Sequence, residues 1–399
     1  MELTAGGGGR LVVVGGGLAA TRIVEEYRRL GGDGAISVVA AEQHLPYDRP
    51  PLTKAVLRGE RDDSPLREEW SSLDVDIKLA RRAVALRLGD RSVLLDDGEE
   101  LGYESLVVAN GATARTLPGL TGPRVHVVRS LDDALALRRD IAEHGRLTVV
   151  GGGFIGCEAA ASARSMGAAV TLVETLPTPL ARVLGTRVGA EVAALHERAG
   201  VELRCGTAVV EARSSRDGDR ELLLSDGSVV DATVVLVGLG VIPDTGWLEG
   251  SGIAVDDGVL TDAVGRTSHP GVWSAGDVAR WRDPRSGERV RVEHWTSAAD
   301  QGKTVARDIL GQGEPLDEVP YFWSDQYDRK LQMLGRPEPD DDVELMSVGP
   351  TGDRLLAVYG REGRFTGVVG ASAPRWVMRM RDLLATEGSY DDALALAQS

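Results

Sequence analysis

The sequence predicts an α/β protein built around two copies of a parallel βαβ unit. Residues 10–42 read RLVVVGGGLAATRIVEEYRRLGGDGAISVVAAE, and residues 146–174 read RLTVVGGGFIGCEAAASARSMGAAVTLVE. Each is a short apolar run, three glycines, a helical stretch, a second apolar run and a glutamate. Self-similarity of this kind marks a duplicated supersecondary unit. Size is the second observation: 399 residues exceed what one hydrophobic core usually organises, so two or three domains are expected.

Taken in order, the strands come first. Leu11–Val14 with Ile36–Val39, and Leu147–Val150 with Val170–Val173, are nearly continuous apolar runs, as parallel strands buried on both faces require. The helices follow from spacing: Ile23, Tyr27 and Leu30 recur at helical intervals in the first copy, and Ile155, Ala159, Ala163 and Met166 in the second. Between strand and helix stands Gly-x-Gly-x-x-Gly/Ala, as Gly15, Gly17 and Ala20, then as Gly151, Gly153 and Gly156. In this fingerprint the first glycine makes the turn and the second lets backbone reach a pyrophosphate. The third lets helix and strand pack closely. The helix N-terminus offers amide donors and a favourable dipole to phosphate. Glu42 and Glu174, closing the two copies, are placed to accept a hydrogen bond from a ribose 2′-hydroxyl. A lone motif of this type is weak evidence, since glycine turns also serve structure. Here the strand, the helix and the acid accompany it twice. Two Rossmann-like dinucleotide sites in one chain point to two dinucleotides exchanging a hydride. A duplication with one dead site is the plain alternative, and neither copy looks degraded.

Composition narrows the classes. A net charge of −16 argues against nucleic acid or an anionic membrane as the main partner. No apolar run reaches the roughly 18 residues of a membrane span, and Met1–Arg10 lacks the basic and apolar regions of a secretory signal. Cys157 and Cys205 cannot form a disulfide framework and no CxxC occurs, so a reducing cytoplasm is expected and no metal site is assigned. The 50 glycines are neither periodic nor gathered in linkers, which suits tight turns and close ligand approach.

Directly after the first copy comes HLPYDRPPLTK, residues 44–54. Pro46, Pro50 and Pro51 stiffen it and oppose a helix through it. Arg and Lys on a rigid loop beside a pyrophosphate site are sensible electrostatics. This segment, LVVANGATART at 106–116 and GVWSAGDVA at 271–279 together resemble the FAD-dependent pyridine-nucleotide-disulfide oxidoreductase superfamily. Within it the chain resembles the NADH-dependent ferredoxin reductases of bacterial oxygenase systems. The resemblance spans nearly the whole chain. It implies two glutathione-reductase-type dinucleotide domains and a small α+β C-terminal domain. The expected divisions are 1–114 with 247–318 for FAD, 115–246 for NAD(H), and 319–399 at the end.

The resemblance also distributes the site residues. For FAD it implies Gly15, Gly17, Ala20, Glu42, Arg49, Lys54, Ala109, Gly111, Gly276, Asp277 and Trp295, with Asp277 on the ribityl chain and Trp295 against the isoalloxazine. Asn110 replaces a usual Thr. For NAD it implies Gly151, Gly153, Ile155, Gly156, Glu158, Glu174 and Arg182. A carboxylate at position 174 favours the free 2′-hydroxyl of NADH over the 2′-phosphate of NADPH, with Arg182 near in sequence as a complication. Lys54, Glu158 and Trp295 are the catalytic candidates, Lys54 and Glu158 as an ion pair beside the rings. A lysine there favours the charge of reduced flavin. Each could instead be an ordinary surface charge or core tryptophan.

With no dithiol, and no cysteine before position 157, electrons must leave the flavin directly. Cys157 reads as a packing residue. The acceptor implied by the resemblance is an iron–sulfur ferredoxin, itself acidic, so a basic docking patch is expected. Candidates are Arg280, Arg282, Arg285, Arg289 and Arg291, then Arg329, Lys330, Arg375, Arg379 and Arg381. Reduction of a quinone, monodehydroascorbate or rubredoxin is a neighbouring alternative. A redox sensor of the apoptosis-inducing-factor type is an alternative of another class. A monomer and a homodimer are both compatible with the sequence.

Overall fold

The computed structural model describes residues 9–67, 69–214, 220–350 and 352–398. Residues 1–8 of the glycine-rich N-terminal segment lie outside it. The chain divides into two compact units. Unit 1 comprises Met1–Asp48, Asp63–Thr113 and Val241–Glu318; unit 2 comprises Arg49–Asp62, Ala114–Gly240 and Val319–Ser399. The segment carrying Arg49 and Lys54 therefore belongs with the second dinucleotide copy.

In unit 1 a five-stranded parallel sheet runs in the order Val272–Ser274, Ser105–Val108, Leu11–Val14, Ile36–Ala40, Val75–Leu79. The central strand uses its two faces differently. Leu11 and Val13 pack with Ala20, Ile23, Val24 and Tyr27 of the helix Leu18–Arg29 and with Val305 and Ala306 of the helix Trp295–Ile309. Val12 and Val14 pack with Val93, Leu95 and Leu101 of an antiparallel three-stranded meander. Burial on both faces is why the strand carries no polar residue.

Unit 2 repeats the plan. Its parallel sheet runs Glu202–Cys205, Ala169–Glu174, Arg146–Val150, Val235–Val237, Val125–His126. The helix Phe154–Ser165 covers one face. The same unit holds the C-terminal region, a five-stranded antiparallel sheet with the hairpin Tyr321–Gln326/Arg329–Gly335 at one edge and helices Pro374–Arg379, Arg381–Ala385 and Tyr390–Gln398. Leu331, Met333, Ala357, Tyr359 and Val369 of that sheet share a core with Leu57, Ala160 and Leu184. Apolar continuity thus joins C-terminal sheet, dinucleotide helix and the Arg49–Asp62 segment into one body.

Two local readings change. The proline-rich segment contains a 3₁₀ turn, Pro50–Thr53, because proline is tolerated in a first turn whose N–H groups need no partner. Ala159 and Ala163 are buried as their spacing predicts, but Ile155 is 43 % exposed at the start of its helix.

Candidate functional site

The two glycine turns have the same geometry. Gly15 has φ +136° and Gly151 φ +110°, conformations that L side chains rarely adopt. A Cβ on Gly15 would lie 2.1 Å from the Ala109 carbonyl oxygen, and one on Gly151 would lie 2.5 Å from that of Gly238. Gly156 is closed off too, with the Gly151 oxygen 2.0 Å from its would-be Cβ; Ala20 fills the matching place in unit 1 and is buried. The middle glycines differ. Gly17 and Gly153 are the N-cap residues of their helices, and neither helix has a side-chain cap. A Cβ on Gly17 would meet nothing within 4 Å, and one on Gly153 only the Gly238 oxygen at 4.0 Å. Each unit therefore presents an uncapped helix N-terminus behind an open glycine. This is the cradle that a pyrophosphate needs, and the residues fit FAD and NADH in that respect.

The acids closing the two copies are not equivalent in register. Val14 pairs Val39 and Val150 pairs Val173, so Glu174 corresponds to Ala40. Glu174 ends its strand, accepting from the amides of Gly152 at 2.6 Å and Leu176 at 2.8 Å, so it braces the glycine turn while keeping acceptor sites on both oxygens. Glu42 lies two residues further on and accepts from the Tyr47 hydroxyl. Arg182 is exposed in the first turn of the helix Ala181–Arg198 and makes no ion pair among the described residues. Ile155 is exposed beside the turn, and Leu239, 37 % exposed, has its Cδ2 3.2 Å from the would-be Gly151 Cβ. Two apolar side chains thus border the mouth of the second cradle.

In unit 1, Gly276 takes φ +79°, and its amide donates to the buried Gln301 Oε1 at 2.8 Å. Asp277 follows it, partly exposed. Gly111 has φ +76°. Asn110 donates through Nδ2 to the Asp244 carbonyl at 2.6 Å, which gives the departure from threonine a local role. Trp295 opens its helix; its indole N–H donates to Asp48 at 2.6 Å and the Arg22 guanidinium lies 5.8 Å from the ring centroid.

Lys54 and Glu158, 104 positions apart in sequence, meet in unit 2 at 2.6 Å, with side chains only 12 % and 4 % exposed. The Thr53 hydroxyl donates to the same Glu158 oxygen at 2.5 Å, and the Ser324 hydroxyl to the other at 2.7 Å. Ser162, one helical turn on, donates to the Thr53 carbonyl and ties the 3₁₀ turn to the dinucleotide helix. Thr53 lies within the 44–54 segment with no role of its own assigned there, and Ser324 lies in none of the three segments that carry the resemblance, so sequence reasoning misses both as partners of Glu158. Arg49 donates to the Arg129 carbonyl. Cys157 is buried on the same helix, where burial pushes its thiol far above the usual range; Cys205 is pushed up to about 11 for the same reason. Neither is poised as a thiolate.

Four of the arginines expected to dock a partner already have acidic partners. Arg280 pairs with Asp256, Arg285 with Asp317, and Arg291 with Asp257 and Glu293. Arg291 is only 11 % exposed, so it is not offered to a partner. Arg329 and Lys330 lie 3.7 and 3.6 Å from Asp328 and Asp325. Arg282, Arg289 and Arg375 are exposed and make no ion pair among the described residues. Arg379 is exposed and Arg381 partly buried on the two short helices after the C-terminal sheet.

Fold and site define a protein with two dinucleotide-type cradles and a buried lysine–glutamate pair in unit 2. Residues 9–302 match the family described as pyridine nucleotide-disulphide oxidoreductase, and residues 321–399 match the reductase C-terminal domain. The chain belongs to the pyridine nucleotide-disulphide oxidoreductase family. It is 35 % identical over 385 residues to the ferredoxin–NAD(+) reductase component of an anthranilate 1,2-dioxygenase system from Burkholderia cepacia, covering 95 % of this chain and 94 % of that one. The crystal structure of the ferredoxin reductase for the CYP199A2 system of Rhodopseudomonas palustris superposes with a TM-score of 0.91 at 31 % identity, over 96 % of each chain. Putidaredoxin reductase, in its covalent complex with putidaredoxin, gives 0.90 at 29 % identity over 98 % of this chain and 99 % of that one.

Proposed function

We propose that this chain is the NADH-dependent ferredoxin reductase of a bacterial oxygenase system. The bound cofactors supply the redox chemistry: a hydride from NADH to FAD, then single electrons to an iron–sulfur ferredoxin. The observation that carries the reading is the pairing of two open, uncapped glycine cradles with no poised thiol. Nothing in the described residues would relay electrons through sulfur, and relatives of matching length are named as ferredoxin reductases. FAD is assigned to the unit 1 cradle and NADH to that of unit 2, with Glu174 selecting NADH over NADPH. The remaining candidate residues keep the roles the family resemblance implies. Lys54 and Glu158 serve the exchange between the rings: the pair is charge-compensated, so the ammonium can favour reduced flavin without leaving a naked buried charge. Exposed cations that pair with no acid among the described residues, Arg282, Arg289 and Arg375, are the better docking candidates. Among the described residues no helix is long and apolar enough to cross a membrane; a cytoplasmic location is part of the proposal.

The test is NADH-driven cytochrome c reduction with and without added two-iron ferredoxin. A large ferredoxin-dependent increase is expected. Flavin that bleaches with NADH but gains nothing from a panel of ferredoxins would move the function to small acceptors or redox sensing.

A further inference from the structure

Glu158 terminates a line of polar groups. Its Oε1 accepts from Ser324 Oγ at 2.7 Å, and Ser324 Oγ accepts from Gln326 Nε2 at 3.3 Å. Gln326 Oε1 lies 3.1 Å from His196 Nε2, and His196 Nδ1 lies 2.8 Å from the Tyr327 hydroxyl. Ser324, Gln326 and His196 are all fully buried.

The direction of each bond follows from the carboxylate outward. A carboxylate only accepts, so Ser324 must use its single proton on Glu158. The serine oxygen can then only accept from Gln326, which orients the glutamine amide and turns its carbonyl to His196. Burial keeps His196 neutral, its pKa depressed to about 4. The proton of a neutral ring must sit on Nε2 to meet that carbonyl, so Nδ1 accepts from Tyr327. All four bonds point the same way, and aligned hydrogen-bond dipoles reinforce one another. A carboxamide has no titrating proton, so the line orients and polarises rather than conducting protons.

The backbone is arranged to suit. Ser324 and Gln326 are two apart on one strand and share a face. Tyr327 occupies the two-residue turn of the hairpin with φ +58°, a conformation usually left to glycine or asparagine. A bulky residue held there delivers its hydroxyl to His196.

We propose that Ser324, Gln326, His196 and Tyr327 form a one-way hydrogen-bond chain that holds the Glu158 carboxylate in the orientation it presents beside Lys54. Residues of the C-terminal sheet are then positioning residues for hydride delivery. The inference rests on the Lys54–Glu158 pair serving that step.

Ser324→Ala, Ser324→Thr and Glu158→Gln in the FAD-loaded protein test it by anaerobic stopped-flow reduction with NADH. Losing one hydrogen bond to a charged group should slow flavin reduction by Ser324→Ala about tenfold. The NADH dissociation constant should stay unchanged, and Ser324→Thr should restore the rate. An independent readout is the imidazole nitrogen spectrum of His196 in the unmutated protein, where a neutral ring protonated on Nε2 is expected. A wild-type reduction rate in Ser324→Ala, or His196 protonated on Nδ1, overturns the chain. If Glu158→Gln slows reduction and Ser324→Ala does not, the chain falls and the role of the pair stands. If neither slows it, the role of the pair falls as well.

Discussion

Replacing Gly17 by alanine should leave the fold intact and abolish tight FAD binding. Gly17 has φ −103° and ψ −167°, extended backbone that alanine adopts freely, and the added Cβ meets nothing within 4 Å. Less conformational freedom in the unfolded chain should stabilise the apoprotein by about 0.4–1 kcal/mol. The same Cβ stands where a pyrophosphate must approach the helix amides. Displacing it breaks about two charge-assisted hydrogen bonds, each worth roughly 1.5–3 kcal/mol, so at least about 3 kcal/mol, or more than a hundredfold in Kd, is lost. Gly15→Ala is the contrast: with φ +136° and the Ala109 oxygen 2.1 Å from its Cβ, it should fail to fold. Gly153→Ala, at φ −74° in similarly open space, should weaken NADH binding and leave FAD in place. The assay combines thermal melting of each apoprotein, flavin-fluorescence titration with FAD, and NADH titration of the holoprotein. Wild-type FAD affinity in Gly17→Ala would refute the cradle. Loss of FAD from Gly153→Ala with NADH binding intact would reverse the assignment of the two sites.

Glu174→Arg should shift preference toward NADPH, read as the ratio of the two kcat/KM values; an unchanged ratio removes Glu174 as the selector. Lys54→Met strands a carboxylate that is 4 % exposed with hydroxyl donors alone, a cost of about 3–5 kcal/mol in denaturant unfolding. Adding Glu158→Gln should recover part of it, and strictly additive effects would deny the coupling. His196 is neutral when folded, with its pKa depressed to about 4 from an ordinary 6.5. The unfolded chain therefore binds the extra proton between those values, and stability is full above the upper one and lost as pH falls. The loss should be on the order of 2 kcal/mol at about pH 5, and a His196→Gln variant with the same pH slope as wild type would contradict it.

Both glycine turns, their flanking strands and the small residue at each helix–strand contact were legible because they are local. A backbone at φ +136° with a carbonyl 2.1 Å from its would-be Cβ admits little but glycine, and that demand is written at the position itself. Apolar runs in strands buried on both faces are equally local. The equivalence of Glu42 and Glu174 was misleading because similarity counts from motif to acid, whereas sheet register counts from paired strands. Glu42 lies two residues beyond Ala40, the end of its strand and the position that Glu174 holds in the second copy.

Position along the chain thus dictated where the two glycine turns form, since turn, strand and helix each depend on neighbours a few residues away. Which charges are available was settled only by folding. Arg291 looked like a docking cation until Asp257, 34 residues away, and Glu293 enclosed it. Glu158 acquired Thr53 and Ser324 from 105 and 166 positions away, with His196 behind them. Burying a carboxylate requires donors on every side, and a chain can assemble them only by bringing distant segments together.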